Sequence, residues 1–261
     1  MVPSDDFLEW LWPATRWVFD EVLYLDAFLA RTAFITPTWE DFPVDESLEG
    51  DALVADYFAF VEEHSGTADW DWEIELVPRN APSPAKILEG MAHDMTEDVK
   101  GGGVLVGAGD PLPIEYEPGL ERDPELLVAV LSRGIAHWHC AGFEDPPGGE
   151  ECFDYAVDLV WVLSGFGIFA SNCAFRTRSQ ERDPMIGWGT QRFGALGQLE
   201  LSYCMGLYAE LLELDDRDAQ KHLQPNPRAW LADARKDLRR RHESRLAELR
   251  AVGPALGPYR H

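Results

Sequence analysis

The sequence predicts an α+β fold in which helices dominate and a small β-sheet packs against them. Three observations predict this class. Apolar residues recur at helical spacing near the start, short alternating segments follow, and helical periodicity dominates after Asp123. This order is typical of an α+β arrangement. With 46% hydrophobic residues in a chain of 261, a sizeable core can form.

The first half of the chain contains helical segments and the strand candidates. Residues 5–31 have the period of an amphipathic helix, which Pro13 should kink or divide. A loop rich in proline and acids, 36–50, leads to a second helical segment, 51–64. Beyond it we expect strands at 72–77, 104–107 and 114–116 and a short helix at 84–95.

The second half of the chain is predicted to be helical. Asp123 as N-cap and Pro124 in the first turn mark the start of a long apolar helix. Further helices are predicted at 150–174, 196–214 and 227–252, and the last contains the basic run 239–241. We assign residues 1–69 to an N-terminal helical region with an acidic loop and residues 70–261 to a second region, joined in one continuous unit.

Charge excludes one large class of function. The chain has 47 acidic and 22 basic residues, a net charge of −25. Residues 1–214 hold 40 acidic against 11 basic residues, or −29, and the remainder holds 7 against 11, or +4. Such a surface repels phosphate backbones, so we expect no nucleic-acid partner. A basic protein partner fits the charge, although acidity can also serve solubility alone.

The location of the protein is predicted from its cysteines and apolar runs. Asp5 and Asp6 stand where a secretory signal needs positive charge. The apolar run 159–170 is shorter than the roughly twenty residues that span a bilayer. Four cysteines without a CxxC pair indicate reduced thiols. We therefore expect a cytoplasmic protein that does not enter a membrane.

Several motifs between residues 70 and 238 keep a fixed order and spacing. They are DPELLV at 123–128, DLVWVLSGFGIFASN at 158–172, Gly187-Trp188, Arg192, Gly194, Leu196, Tyr203, LYA at 207–209 and HLQPN at 222–226. In these motifs the chain resembles an uncharacterised bacterial family of zincin-like proteins, whose relatives with an HExxH motif are metallopeptidases. The resemblance implies a helix-dominated zincin-like domain with a small sheet.

The resemblance also aligns an HExxH motif with the helix after Pro124. In that motif two histidines at i and i+4 bind one Zn²⁺, and the glutamate takes a proton from the metal-bound water. His137 aligns with the first ligand, Trp138 with the general base and Ala141 with the second ligand. The motif is therefore degenerate in this chain.

An acidic helix supplies the third ligand in the family that the chain resembles. Its ExxxD motif is matched by Asp154 and Asp158, with Asp in place of Glu, and Glu150 to Asp154 offers the same spacing one turn earlier. The remnant metal site is thus His137, Asp154 and Asp158. We expect no cofactor, and zinc is the metal that the resemblance would suggest. Alternatively, His137 and Asp158 form a structural hydrogen bond between two buried helices.

His139 and Arg192 complete the candidate residues. His139 lies about 200° around a regular helix from His137, so both imidazoles would not reach one ion. With Cys140 it could hold a metal only if Cys152 or Cys173 came close. Arg192 aligns with an arginine of the family, where it would either steady an oxyanion or pair with a buried carboxylate such as Asp158.

The sequence favours a catalytically degenerate metallopeptidase-like protein that acts by binding another protein. We expect residues 1–31 and the loop 36–50 to contribute most of the binding surface. One alternative is a metal-dependent hydrolase with an irregular site at His137, His139, Asp154 and Asp158, which would need a non-helical backbone around Trp138. Another is an acidic inhibitor or immunity-type protein that sequesters a basic partner.

Overall fold

The computed structural model describes residues 1–23, 28–31, 33–77, 111–178 and 189–252. Helices dominate this part of the chain and two short strand pairs accompany them, so the predicted α+β class is confirmed. The helix predicted at 84–95, the strand predicted at 104–107 and the motif Gly187-Trp188 lie outside the described residues.

The first helix, α1 (Asp5–Trp17), begins where a side chain satisfies a free backbone N–H. The Ser4 hydroxyl accepts a hydrogen bond from the Phe7 amide at 3.3 Å. Contrary to one expectation, Pro13 does not divide the helix, which continues to Trp17 and then widens into a π-helical turn, Val18–Val22. Leu8, Leu11 and Trp12 are buried, so α1 contributes to the core.

The second helix and the first strand pair follow. Helix α2 (Gly50–Ser65) leads to β1 (Trp72–Leu76), which pairs in parallel with β2 (Leu112–Tyr116). The register joins Trp72 to Leu112 and Leu76 to Tyr116. Strands were predicted at both places, and Leu76 at the end of β1 is exposed.

Helix α3 (Pro124–Ala141) is the element that holds most of the candidate residues. It begins as predicted, because the Asp123 carboxylate accepts a hydrogen bond from the Leu126 amide at 3.2 Å and Pro124 occupies the first turn. The helix is α-helical through Trp138. The non-helical backbone that the hydrolase alternative requires is therefore not present there.

The apolar segment after α3 is divided where one continuous helix was predicted. A 3₁₀ turn (Glu150–Cys152) precedes α4 (Phe153–Trp161), a π-helical turn (Val162–Phe166) and α5 (Gly167–Cys173). Gly165 causes the break, because its φ of 98° lies in the left-handed region that favours glycine. A Cβ there would also lie 2.8 Å from Arg31 Nη1.

Within the described residues, the helical stretch 150–173 meets the length and composition of a membrane span. Its most apolar window has a mean hydropathy of 1.5, and 78% of that window is buried inside the molecule. Burial of this extent is also what the core helix of a soluble protein has.

The last third of the chain supplies a hairpin and the covering helices. Strands β3 (Phe175–Arg178) and β4 (Gly189–Arg192) pair antiparallel. Helices α6 (Gln198–Leu211), α7 (Ala219–His222), α8 (Pro225–Arg241) and α9 (Glu243–Arg250) follow. The single helix predicted at 227–252 is wrong, because His242, with φ −129°, separates α8 from α9.

A single hydrophobic cluster joins side chains from residue 8 to residue 252. Its largest fully buried members come from the apolar segment 150–173 and from α6: Trp161, Phe166, Phe169, Tyr203 and Tyr208. Helix α6 packs against α8 on one side and against α5 on the other. Both regions assigned from the sequence, 1–69 and 70–261, contribute side chains to this cluster.

Candidate functional site

Asp158 is the buried centre of the candidate site. Its side chain is fully buried on α4, and each oxygen is hydrogen-bonded. Arg133 Nε donates to Oδ1 at 2.7 Å, and the backbone amides of Ala195 and Leu196 donate to Oδ2 at 2.7 Å each. Burial raises the pKa of Asp158, while Arg133 and the two amides oppose that rise.

The loop before α6 reaches Asp158 because of Gly194. The φ of Gly194 is 86°, and a Cβ built there would lie 2.8 Å from Asp158 Oδ2. A side chain at this position would meet the carboxylate that the next two amides bind. Gly194 therefore allows the backbone to bind Asp158 directly.

Arg133 joins α3 to α4 through two carboxylates. Arg133 binds Asp158 through Nε, and its Nη2 atom lies 3.4 Å from Asp154 Oδ1. Asp154 is exposed, whereas 21% of the Arg133 side chain and none of the Asp158 side chain is accessible. The two acidic members of the predicted remnant site thus share one cation, and that cation is a guanidinium.

His137 lies one turn after Arg133 and is half-buried. Its ring contacts those of Phe153 and Trp138 edge-on, with centroids 5.4 and 5.7 Å apart. Burial and the charge of Arg133 lower the pKa of His137, and Asp154 opposes them. The hydrogen bond with Asp158 that one alternative predicted is not formed, and Arg133, Ala195 and Leu196 donate to that carboxylate instead.

Trp138 and Ala141 are the residues that the predicted resemblance aligns with a general base and a second metal ligand. The Trp138 indole Nε1 donates to the backbone oxygen of Pro113 at 2.8 Å, which fastens α3 to β2. An indole N–H is a donor only and cannot accept a proton from water. Trp138 therefore has a structural contact at the position of the base.

His139 occupies a different environment from His137. It is 3% exposed, its Nε2 has no hydrogen-bond partner within the described part of the chain, and its ring packs on Trp70 with centroids 4.8 Å apart. Burial lowers the pKa of His139 to about 4. The two histidines contact different aromatic side chains, so the structure does not bring them together.

Within the part of the chain that the structure describes, no group of three or more His, Cys, Asp or Glu side chains is placed to hold a metal ion. Cys140 is buried and burial raises the pKa of its thiol. The backbone of Arg192 pairs with Phe175, but the Arg192 side chain lies outside the described residues.

Arg133 is the functional residue that the sequence reasoning missed. It is a lone basic residue in the otherwise uncharged stretch 126–141. A charged group in a buried helix needs a partner of opposite charge. This signal, together with its position four residues before His137, would have predicted a carboxylate nearby. No comparable signal in the sequence predicts that the backbone amides of Ala195 and Leu196 bind Asp158.

A second feature is a partly exposed aromatic cluster, in which half-buried rings at the start of α1 contact an exposed ring on α4. The rings of Phe7 and Trp10 lie 5.9 Å apart, and Trp10 contacts Tyr155 at 6.1 Å. Trp10 is held in place because its Nε1 donates to the Pro147 oxygen at 2.8 Å. Tyr155 is 42% exposed. We call these three rings the aromatic face.

Acidic side chains flank the aromatic face. Asp6 lies one turn before Trp10, and Glu151 lies about one turn before Tyr155. Both are exposed, and neither has an ion pair among the residues that the structure describes. The same holds for Asp5, Glu9, Asp145 and Glu150. The face therefore combines rigid rings with uncompensated negative charge.

Comparisons of the chain with protein-family models, with curated proteins and with solved structures found no match. The zincin-like resemblance therefore stays a prediction that rests on sequence motifs.

Proposed function

We propose that this protein is a metallopeptidase-like scaffold without catalytic metal chemistry and that it acts by binding a protein partner. The observation that carries the proposal is the position of Arg133. Its guanidinium lies between Asp154 and Asp158, the two carboxylates that the resemblance would give to the metal site.

A guanidinium at this position opposes metal binding in two ways. It occupies Oδ1 of Asp158, and the backbone amides occupy Oδ2. It also places a positive charge beside any incoming cation. At an effective dielectric constant of about 20, two unit charges about 4 Å apart interact by about 4 kcal/mol, and a dication doubles this repulsion.

The residues aligned with the remaining catalytic groups add further support. Trp138 uses its only polar atom to bind Pro113, and Ala141 has no ligand atom. A hydrolase of the HExxH type needs a base to activate the metal-bound water. Neither side chain supplies one.

The aromatic face supports protein binding as the activity. Tryptophan and tyrosine are enriched among the residues that dominate binding energy, and Trp10 is already ordered by its hydrogen bond to Pro147. Uncompensated carboxylates around the rings favour a partner with basic groups and speed its approach. The partner class we propose is accordingly a protein with a basic surface.

Metal content tests the first half of the proposal. Elemental analysis of the purified protein should find well below one zinc per chain, and peptide substrates should not be hydrolysed. Near-unit zinc that is lost in His137→Ala would overturn the proposal and favour the hydrolase alternative.

A reconstruction experiment tests the role of Arg133. The double variant Trp138→Glu with Ala141→His restores the HExxH residues and should still bind zinc poorly. Adding Arg133→Ala should raise zinc affinity, because the cation is removed and Asp158 is released. Equal affinity with and without Arg133→Ala would show that the guanidinium does not exclude the metal.

Partner capture tests the second half. Deletion of residues 1–50 is unsuitable, because α1 buries Leu11 and Trp12 in the core. The surface variant Tyr155→Ser with Glu151→Lys should instead lose partners that the parent captures from the native cell at low salt. The matched control Phe175→Ser with Glu73→Lys changes an exposed ring and an exposed acid outside residues 1–50 and should keep them.

The identity of a captured protein distinguishes the proposed function from the remaining alternative, an acidic inhibitor or immunity-type protein. A basic enzyme that loses activity on binding would place the chain among acidic inhibitors. Equal capture by both variants would remove the aromatic face from the proposal.

A further inference from the structure

A groove with excess positive charge lies near the C-terminus of a strongly acidic protein. The segment after α6 and the outer side of α8 line an open groove of about 490 Å³. We call it the C-terminal groove, and its lining residues are Leu214, Asp215, Asp216, Ala232, Arg235, Lys236, Arg239 and Arg240. It includes part of the only basic run that the sequence contains.

Glu210 fixes two of the arginines in this groove. The Glu210 side chain is 6% exposed, and its two oxygens bind Arg235 Nε and Arg239 Nε, the latter at 2.8 Å. Arg235 also pairs with Asp216 at 2.9 Å through Nη1. Arg239 uses only its Nε in these pairs, so both terminal amino groups of an oriented guanidinium stay available.

Two further cations in the groove are free. Lys236 and Arg240 are exposed, and neither has an ion pair among the residues that the structure describes. They lie four residues apart on α8, and Arg239 lies three residues after Lys236, so the three share a helix face.

The charge of the groove is positive by about two units. Glu210 and Asp216 offset two of its four basic side chains, and Arg217 binds Asp215. Lys236 and Arg240 are left uncompensated in a chain whose net charge is −25. This local excess would attract a small anionic ligand.

We propose that the C-terminal groove binds a small ligand that carries a phosphate group. The terminal amino groups of Arg239 suit the geometry of phosphate oxygens, and lysine binds phosphate as a point charge. The volume lies within the range of small-molecule sites. A long polyanion is disfavoured, because it would extend over the acidic remainder of the surface. This site is independent of the protein-binding activity proposed above.

Titration calorimetry with inorganic pyrophosphate at low ionic strength tests the inference. The parent protein should bind one pyrophosphate per chain. The double variant Lys236→Gln with Arg240→Gln should weaken the affinity at least tenfold while keeping the parent's circular dichroism and melting temperature, since both side chains are exposed. The control Arg122→Gln removes a cation that is 86% exposed outside the groove and should leave the affinity unchanged.

Three results would overturn the inference. They are no saturable binding of pyrophosphate to the parent, equal weakening in Arg122→Gln, and tighter binding of a ten-residue glutamate peptide than of pyrophosphate. The last result would identify the groove as a contact for an acidic protein segment.

Discussion

Acidification should destabilise this protein through the buried His139. This residue is 3% exposed, its Nε2 has no partner among the residues that the structure describes, and burial lowers its pKa to about 4 from the ordinary 6.5. The folded state therefore keeps the imidazole neutral at a pH where the unfolded chain has already taken up a proton. The stabilisation is complete above pH 6.5 and is lost as the pH falls toward 4.

The size of the effect follows from the shift in the pKa of His139. A shift of about 2.5 units corresponds to about 3 kcal/mol of unfolding free energy in total. Between pH 7 and pH 5 the linkage relation gives a loss of about 2 kcal/mol from this one group. A loss of that size is a large fraction of the stability of a typical domain.

Urea denaturation of the parent and of His139→Leu at both pH values measures this contribution. Leucine cannot be protonated, so the unfolding free energy of the variant should fall with acidification by about 2 kcal/mol less than that of the parent. The comparison cancels the carboxylates and other histidines, which titrate in both proteins. Equal losses in the two proteins, or an NMR titration of His139 with a midpoint near 6.5, would refute the reasoning.

Three substitutions probe the contacts of the apolar segment 150–173. Asp158→Ala leaves Arg133 and two backbone amides without their acceptor, and chemical denaturation should show a loss of about 3 to 5 kcal/mol; a loss below 1 would contradict the buried pair. Gly165→Ala forces a side chain into a backbone with φ 98° and within 3 Å of neighbouring atoms, so its melting temperature should fall by several degrees, and an unchanged value would exclude this conformation. Ser132→Ala removes the acceptor of the Trp161 indole at 2.7 Å and should cost about 1 to 3 kcal/mol, with the intrinsic fluorescence as a second readout; a variant as stable as the parent would show that another acceptor replaces the hydroxyl.

The sequence predicted elements well where the signal is local. Asp123 and Pro124 marked the start of α3 because an N-cap and a first-turn proline act within a few residues. The break at Gly165 was not predicted, because the left-handed backbone of this glycine depends on the segment packed against it. The end of α8 at His242 was not predicted either, because no glycine or proline marks it in the sequence.

The candidate site was predicted in part. Asp158 was expected to be buried against the helix of His137, and the structure confirms its burial there. The predicted partner, His137, was wrong, because Arg133 one turn earlier on the same helix binds this carboxylate. The amides of Ala195 and Leu196 approach from 37 and 38 residues away, a contact that only the tertiary fold creates.

The apolar segment 150–173 has a consequence for synthesis of the chain. Its cover includes α6, which packs on the π-helical turn and on α5 and is complete only at residue 211. Roughly 40 further residues must therefore be translated, which at about 5 to 20 residues per second takes several seconds. During that time the ribosome presents a segment as apolar as a membrane span without its covering helix. A nascent chain that ends before residue 211 therefore exposes this apolar segment and should be prone to aggregation.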